Sequence, residues 1–173
     1  MVTLGERLNG TRLEGEKLKD KVSKVWFAPV EDNPQKEDVA QKTLELYRAA
    51  NFRSILEEGD LVAMKMHFGE KNNTGYIKPD YLHPLIKALK DEGVKPYLTD
   101  ANTLYRGERS NSVDHLMQAY AHGFGPEAMG IPVIIADGIR SKNYEEVPIE
   151  GVHFKSVKIA NDILHSDVLF VLS

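Results

Sequence analysis

His67 closes an apolar run, Leu61 to Phe68, and Glu70 follows three residues later. An imidazole and a carboxylate in that spacing suit a general acid–base pair or two ligands of a divalent metal. Asp100 and Asp137 each follow directly on another apolar run, a position where a carboxylate orients a ligand or caps a turn. These four residues are the catalytic candidates. Around them lie three stretches crowded with amide, hydroxyl, carboxylate and guanidinium groups, at 67–75, 100–111 and 137–142. Arg106 and Arg109 in the second stretch carry the forked donors that grip phosphate or carboxylate. Each feature also has an ordinary reading. The histidine bonds to nearby backbone, the arginines pair locally with Glu108, and the Asn, Asp, Gly and Ser residues make turns. His115 and His122 fall seven apart on one helical face, a spacing that suits either a metal or a plain polar face.

The elements that must position these groups alternate between strand and helix. Lys24–Pro29 reads as a first buried strand, with Val25, Trp26 and Phe27. Asn33-Pro34 opens a helix whose stripe includes Val39, Ala40, Thr43, Leu44, Leu46 and Tyr47. Leu61–Phe68 is the second strand. Pro79 opens a helix with Leu82, Leu85, Ile86 and Leu89 at i, i+3, i+4, i+7, ended by Gly93. Lys95–Thr99 is the third strand, and Ser112 caps a helix with Val113, Leu116, Met117 and Tyr120 as its apolar face. Pro132–Ala136, apolar throughout, reads as a central fourth strand. Residues 145–149 and 153–159 read as a small hairpin, 160–165 as a short helix and 167–172 as a last buried strand. The class is therefore α/β: three layers, a mostly parallel Rossmann-like sheet with helices on both faces and a hairpin insertion near 145–159. In such sheets ligands bind beyond the carboxyl ends of the strands, where the three polar stretches fall.

A length of 173 residues and 42% hydrophobic content fit one domain with a real core. Residues 24–173 form that domain, and residues 1–23 read as a flexible leader. The 22 Lys and Arg against 26 Asp and Glu leave a net charge of −4, which argues against a nucleic-acid or membrane-surface partner. No run approaches the roughly 18 apolar residues of a membrane span. The cysteine count is zero, so cysteine ligates no metal or iron–sulfur cluster in these residues, a composition that fits a cytoplasmic location. The dinucleotide GxGxxG, the Walker A loop and the GxSxG elbow are all missing.

The stretches VAMKMHFGEKNNTGYIKPDYL, PYLTDANTLYRGERSNSVDHL and PVIIADGIR resemble the domain of unknown function 362 family, over about residues 23–173. Its members are often described as iron–sulfur centre proteins. The resemblance implies a polar site of His67, Gly69, Glu70, Asn73, Lys78, Asp100, Asn102, Thr103, Arg109, Ser110 and His115. Of these, His67, Glu70 and His115 are the candidate ligands for a divalent metal. Family members typically continue beyond the equivalent of Ser173 into a ferredoxin-like cysteine module, so the domain is expected to be truncated and any cluster to lie in that missing module. The expected function is a redox-associated α/β domain that binds an anionic small molecule or metal at the loops after strands two to four. Two alternatives stand beside it. One is an interaction domain or homo-oligomer using an uncovered C-terminal strand; the other is a metal-dependent hydrolase or racemase.

Overall fold

The computed structural model describes residues 24–173 and the backbone of residues 2–7. In chain order the elements are β1 (Val2–Arg7), α1 (Lys36–Ala49), β2 (Leu61–Lys65), α2 (His83–Asp91), β3 (Lys95–Asp100) and α3 (Ser112–Ala121), followed by α4 (Pro126–Met129), β4 (Val133–Ile135), β5 (Tyr144–Pro148), β6 (Ser156–Ala160), α5 (Asn161–Leu164) and β7 (Val168–Leu172). The main sheet has the order β1-β7-β2-β3-β4. Strands β7, β2, β3 and β4 are mutually parallel, and β1 runs antiparallel to β7. The α/β class and the small hairpin are both present, the latter as a separate antiparallel pair of β5 and β6.

Alternation along the strands sends Val62, Met64, Leu98, Val168, Phe170 and Leu172 to one face, where they form the core. The crossovers from β2 through α2 to β3 and from β3 through α3 to β4 step the same way across the sheet, so the right-handed rule for parallel connections puts both helices on one face. Helix α1 joins them, with Tyr47 and Phe52 packed edge-on against Phe170 at 6.1 and 5.3 Å. The connection from β4 back to β7 crosses the opposite face and carries the hairpin and α5. There the buried Tyr97 hydroxyl donates to the Asp162 carbonyl and meets the Ser166 hydroxyl at 2.6 Å.

Several sequence expectations are corrected. Residues 24–29 form no strand, and Phe27 is 85% exposed. An apolar run needs a neighbour to pair with, and residues 24–29 pair with no strand among the described residues. The fourth strand is the outer strand of the sheet, not a central one: Val133 and Ile135 turn into the core, while Ile134 on the thin face is exposed. The last strand, by contrast, has both hydrogen-bonding edges occupied, by β1 and β2. Of the leader expected over 1–23, Val2–Arg7 forms β1, and residues 8–23 lie outside the described residues.

Helix α3 turns its unexpected side inward. Val113 and Met117 are 61% and 63% exposed, whereas Ser112, His115, Gln118 and Ala119 are buried. The polar side is drawn in by specific bonds: Ser112 Oγ donates to the Gly138 carbonyl, and Gln118 Nε2 meets His122 Nε2 at 2.8 Å. Its cap is Asn111, one residue before the expected Ser112; the Asn111 side chain accepts from the Val113 and Asp114 amides. Two other helix starts also shift. The Pro79 start is a 3-10 turn over residues 79–81 preceding α2, and α1 begins at Lys36.

Candidate functional site

Because β2, β3 and β4 are parallel, the loops that leave their carboxyl ends share one edge of the sheet. Ladder bonds continue just past the strands, Met66 N to the Thr99 carbonyl and Ala136 N to the Asp100 carbonyl. They anchor the roots of all three loops. Asp100, the last residue of β3, is buried at the centre.

Its carboxylate collects three donors, one from β2 and two from its own loop. Lys65 Nζ from β2 reaches Oδ1 at 3.2 Å, the Ala101 amide reaches Oδ1 at 2.9 Å, and Arg109 Nη1 reaches Oδ2 at 3.1 Å. The buried Arg109 also holds Glu70, whose Oε1 accepts from Arg109 Nε at 2.8 Å, from Nη2 and from the Tyr105 hydroxyl. Arg109 Nη2 meets that same hydroxyl at 2.9 Å. The guanidinium thus ties the β2 loop to β3 and to its own loop.

A second set of bonds links Asp137 to this centre. Asp137 Oδ1 accepts from the Asn102 amide at 3.0 Å and from Asn102 Nδ2 at 2.9 Å. Asn102 Nδ2 also donates to the Gly138 carbonyl at 2.8 Å. The remaining amide oxygen, Oδ1, faces His115 Nδ1 at 3.4 Å.

The charges answer one another. Burial pushes the Asp100 carboxyl up, but the His115 ring, the Lys65 ammonium and the Ala101 amide outweigh it and hold the carboxyl below its ordinary value. Arg109 and then Tyr105 hold Glu70 below the usual carboxylate range. His67 is held below the ordinary imidazole value, first by burial and then by Arg109, against the opposite pull of Asp100 and Glu70. His67 is exposed and senses all four charged side chains of the network.

Not every expected residue joins this cluster. Asn73 closes a local turn by accepting from the Gly75 amide, and the exposed Ser110 donates to the Gly107 carbonyl. Thr103 shapes its own loop: its amide donates to the Arg109 carbonyl and its hydroxyl to the Tyr105 carbonyl. Arg106 is exposed. Lys78 stands elsewhere, with Nζ 3.6 Å above the Tyr76 ring, beside a cavity of about 530 Å³ lined by Pro79, His83 and His122. Gly69 is a packing requirement. Its φ is +86°, and an added Cβ would fall 2.5 Å from Tyr76 Cδ1 and 2.8 Å from His122 Nδ1.

The three expected metal ligands are each engaged or enclosed. Glu70 is bound by Arg109 and Tyr105, His67 Nδ1 accepts from the Gly69 amide at 2.9 Å, and His115 is fully buried. Among the described residues no three His, Asp or Glu side chains converge as a metal-ligand group. Lys65 and Tyr105 were missed as site residues. Lys65 had a visible signal, a charge that interrupts an otherwise apolar strand.

A family model described as Domain of unknown function (DUF362) matches residues 62–173. The matched segment begins in β2 and contains all three loops. No curated protein and no solved structure matches the chain.

Proposed function

The chain belongs to the Domain of unknown function (DUF362) family, and on that premise we propose that it binds a small anionic molecule at the carboxyl edge of its parallel sheet. The observation that carries this reading is the Lys65–Asp100–Arg109–Glu70 network, buried at Asp100 and Arg109 and part-exposed at Lys65 and Glu70, with the exposed His67 near enough to sense its charges. Buried ion pairs are a poor source of net stability, since hydrophobic replacements often do as well. The buried Asp100–Arg109 pair, extended by the part-exposed Lys65 and Glu70 across two strands and two loops, therefore supports a functional reading. Arg109 is the strut that fixes the floor, not the anion's main contact, because its donors already serve Glu70 and Asp100. Lys65, about one-third exposed, and the neutral, hydrogen-bonding His67 are the contacts offered to a phosphate or carboxylate.

The family resemblance also associates such chains with iron–sulfur redox chemistry. These 173 residues contain no cysteine, so a cysteine-held cluster finds no ligands among them. Among the described residues, His67, Glu70 and His115, the residues expected to hold a divalent ion, form no metal-ligand group.

Calorimetric titration of the full chain with inorganic phosphate and with malonate tests the reading. Binding of either ligand is expected, and Lys65→Gln is expected to weaken it about tenfold, which is about 1.4 kcal/mol. Heats equal to dilution for both ligands, or equal affinity in the variant, would count against the proposal.

A further inference from the structure

The β5–β6 hairpin stands apart from the main sheet as a two-stranded pair, and a ribbon that narrow is marginal without something to pack on. Its root is held. His165 Nε2 meets Glu145 Oε1 at 2.9 Å, and Asn161 Nδ2 donates to Asn143 Oδ1 at 2.7 Å. Its tip is closed as well. The Ile149 amide donates to the Lys155 carbonyl at 2.9 Å, and Lys155 Nζ donates to the Gly151 carbonyl at 3.0 Å. Gly151 is required there, because an added Cβ would fall 2.5 Å from the Phe154 carbonyl oxygen. This closed turn holds Val152 and Phe154 out in water, 89% and 71% exposed. Two large apolar side chains on a fixed turn make a knob.

A cavity of matching character opens on the thin face, at the amino ends of β2, β3 and β4. It has a volume of about 660 Å³, and its apolar wall includes Leu61, Val94, Tyr97, Ile131 and Ile134. No residue of the hairpin lines it, although His165, which holds the hairpin root, does. The chain therefore carries an apolar knob and an apolar cavity that it does not bring together itself.

Charge says what fills the cavity. Glu150 precedes the knob and Lys95 stands on the cavity wall, and neither has an ion-pair partner among the described residues. Asp162 on the same wall is the counterpart of Lys155 on the tip. A second copy of this chain thus presents the right shape and the right signs. Strand β7 has no open edge for such a partner, being paired on both sides. Because the hairpin root borders the cavity, one twofold axis exchanges two knobs between two cavities and closes the assembly at a pair.

We propose that two copies of this chain form a symmetric dimer, in which the β5–β6 tip of each seats Val152 and Phe154 in the thin-face cavity of the other, with Glu150 against Lys95. The contact lies at the amino edge of the sheet, opposite the proposed anion site, and leaves that site open.

Sedimentation equilibrium of the full chain over a range of concentrations tests this. The mass is expected to rise from 19.5 kDa toward twice that value as concentration increases. Phe154→Ser is expected to weaken the dimer about tenfold or more while leaving the circular dichroism of the exposed tip's domain unchanged. Lys95→Glu is expected to weaken it too, and Lys95→Glu combined with Glu150→Lys is expected to restore it, a rescue that a merely structural lysine would not show. A chain that stays monomeric at every concentration overturns the proposal and leaves the cavity to a small apolar molecule or another protein. A dimer indifferent to Phe154→Ser, or a charge-swapped variant no tighter than Lys95→Glu alone, overturns it as well. So does open-ended growth past the pair, which would mean head-to-tail seating.

Discussion

Arg109 and Gly69 show how single residues fix the site. Replacing Arg109 with Met strips Glu70 of its ion-pair partner and leaves the buried Asp100 with Lys65 and the Ala101 amide alone. Urea unfolding should show a loss of about 3–5 kcal/mol, and a loss under 1 would mean the network is solvated and unimportant. Gly69→Ala forces an alanine into positive φ and drives its methyl into Tyr76 and His122. The expected penalty is roughly 2–4 kcal/mol. His67 should titrate below its ordinary value of 6.5, by NMR, because burial and Arg109 both disfavour its charge. Glu70→Gln removes one of the carboxylates that support the charge, so the titration should move lower still. A shift upward would show that His67 does not sense the network. Much of this site was legible in the sequence. Asp100 and Asp137 directly follow apolar runs, and Asn102 and Arg109 lie in the polar stretch after the first of them, inside a motif that resembles the family. What could not be read was their pairing. That Arg109 spends its donors on two carboxylates follows from a loop path that no spacing encodes.

Helix α3 is where periodicity misled. Val113, Leu116, Met117 and Tyr120 match the helical repeat, yet the buried side carries Ser112, His115 and Gln118. Apolar periodicity assigns the inward face only when polar groups have no better claim to the interior. Here the Asn102–Asp137–Gly138 bonds supply that claim. Met117→Lys should therefore leave stability within about 0.5 kcal/mol of wild type. Leu98→Ala, in the core beneath the same helix layer, should cost about 2–5 kcal/mol. Chemical denaturation of the two variants decides it, and a severe loss in Met117→Lys would restore the sequence-based face. The strands show a milder version of the same limit. The strands read at Leu61–Phe68, Lys95–Thr99 and 167–172 form as β2, β3 and β7, but the order that sets β4 outside and β7 inside depends on which edges pair. Residues 24–29 read equally as a strand, yet pair with none among the described residues.

At the scale of the whole molecule, the charged network links folding to pH. Glu70 and Asp100 are both held below their ordinary values of 4.5 and 3.8. The unfolded chain thus binds protons that the folded chain does not, and stability must rise with pH through that range. Their contribution is complete above about pH 5 and disappears as pH falls through the depressed values. Arg109→Met should flatten this acid limb in thermal unfolding followed across pH. An unchanged limb would mean that other carboxylates carry it. The same network is the floor of the proposed ligand site, and its occupancy is the question on which the account turns. The most direct measurement is an amide-resolved NMR titration of the full chain with inorganic phosphate. The account predicts perturbations gathered at Lys65, His67, Ala101 and Asn102, saturating together with a single affinity. Perturbations gathered elsewhere, at the Lys78 and His83 cavity for instance, or none at all, would contradict it.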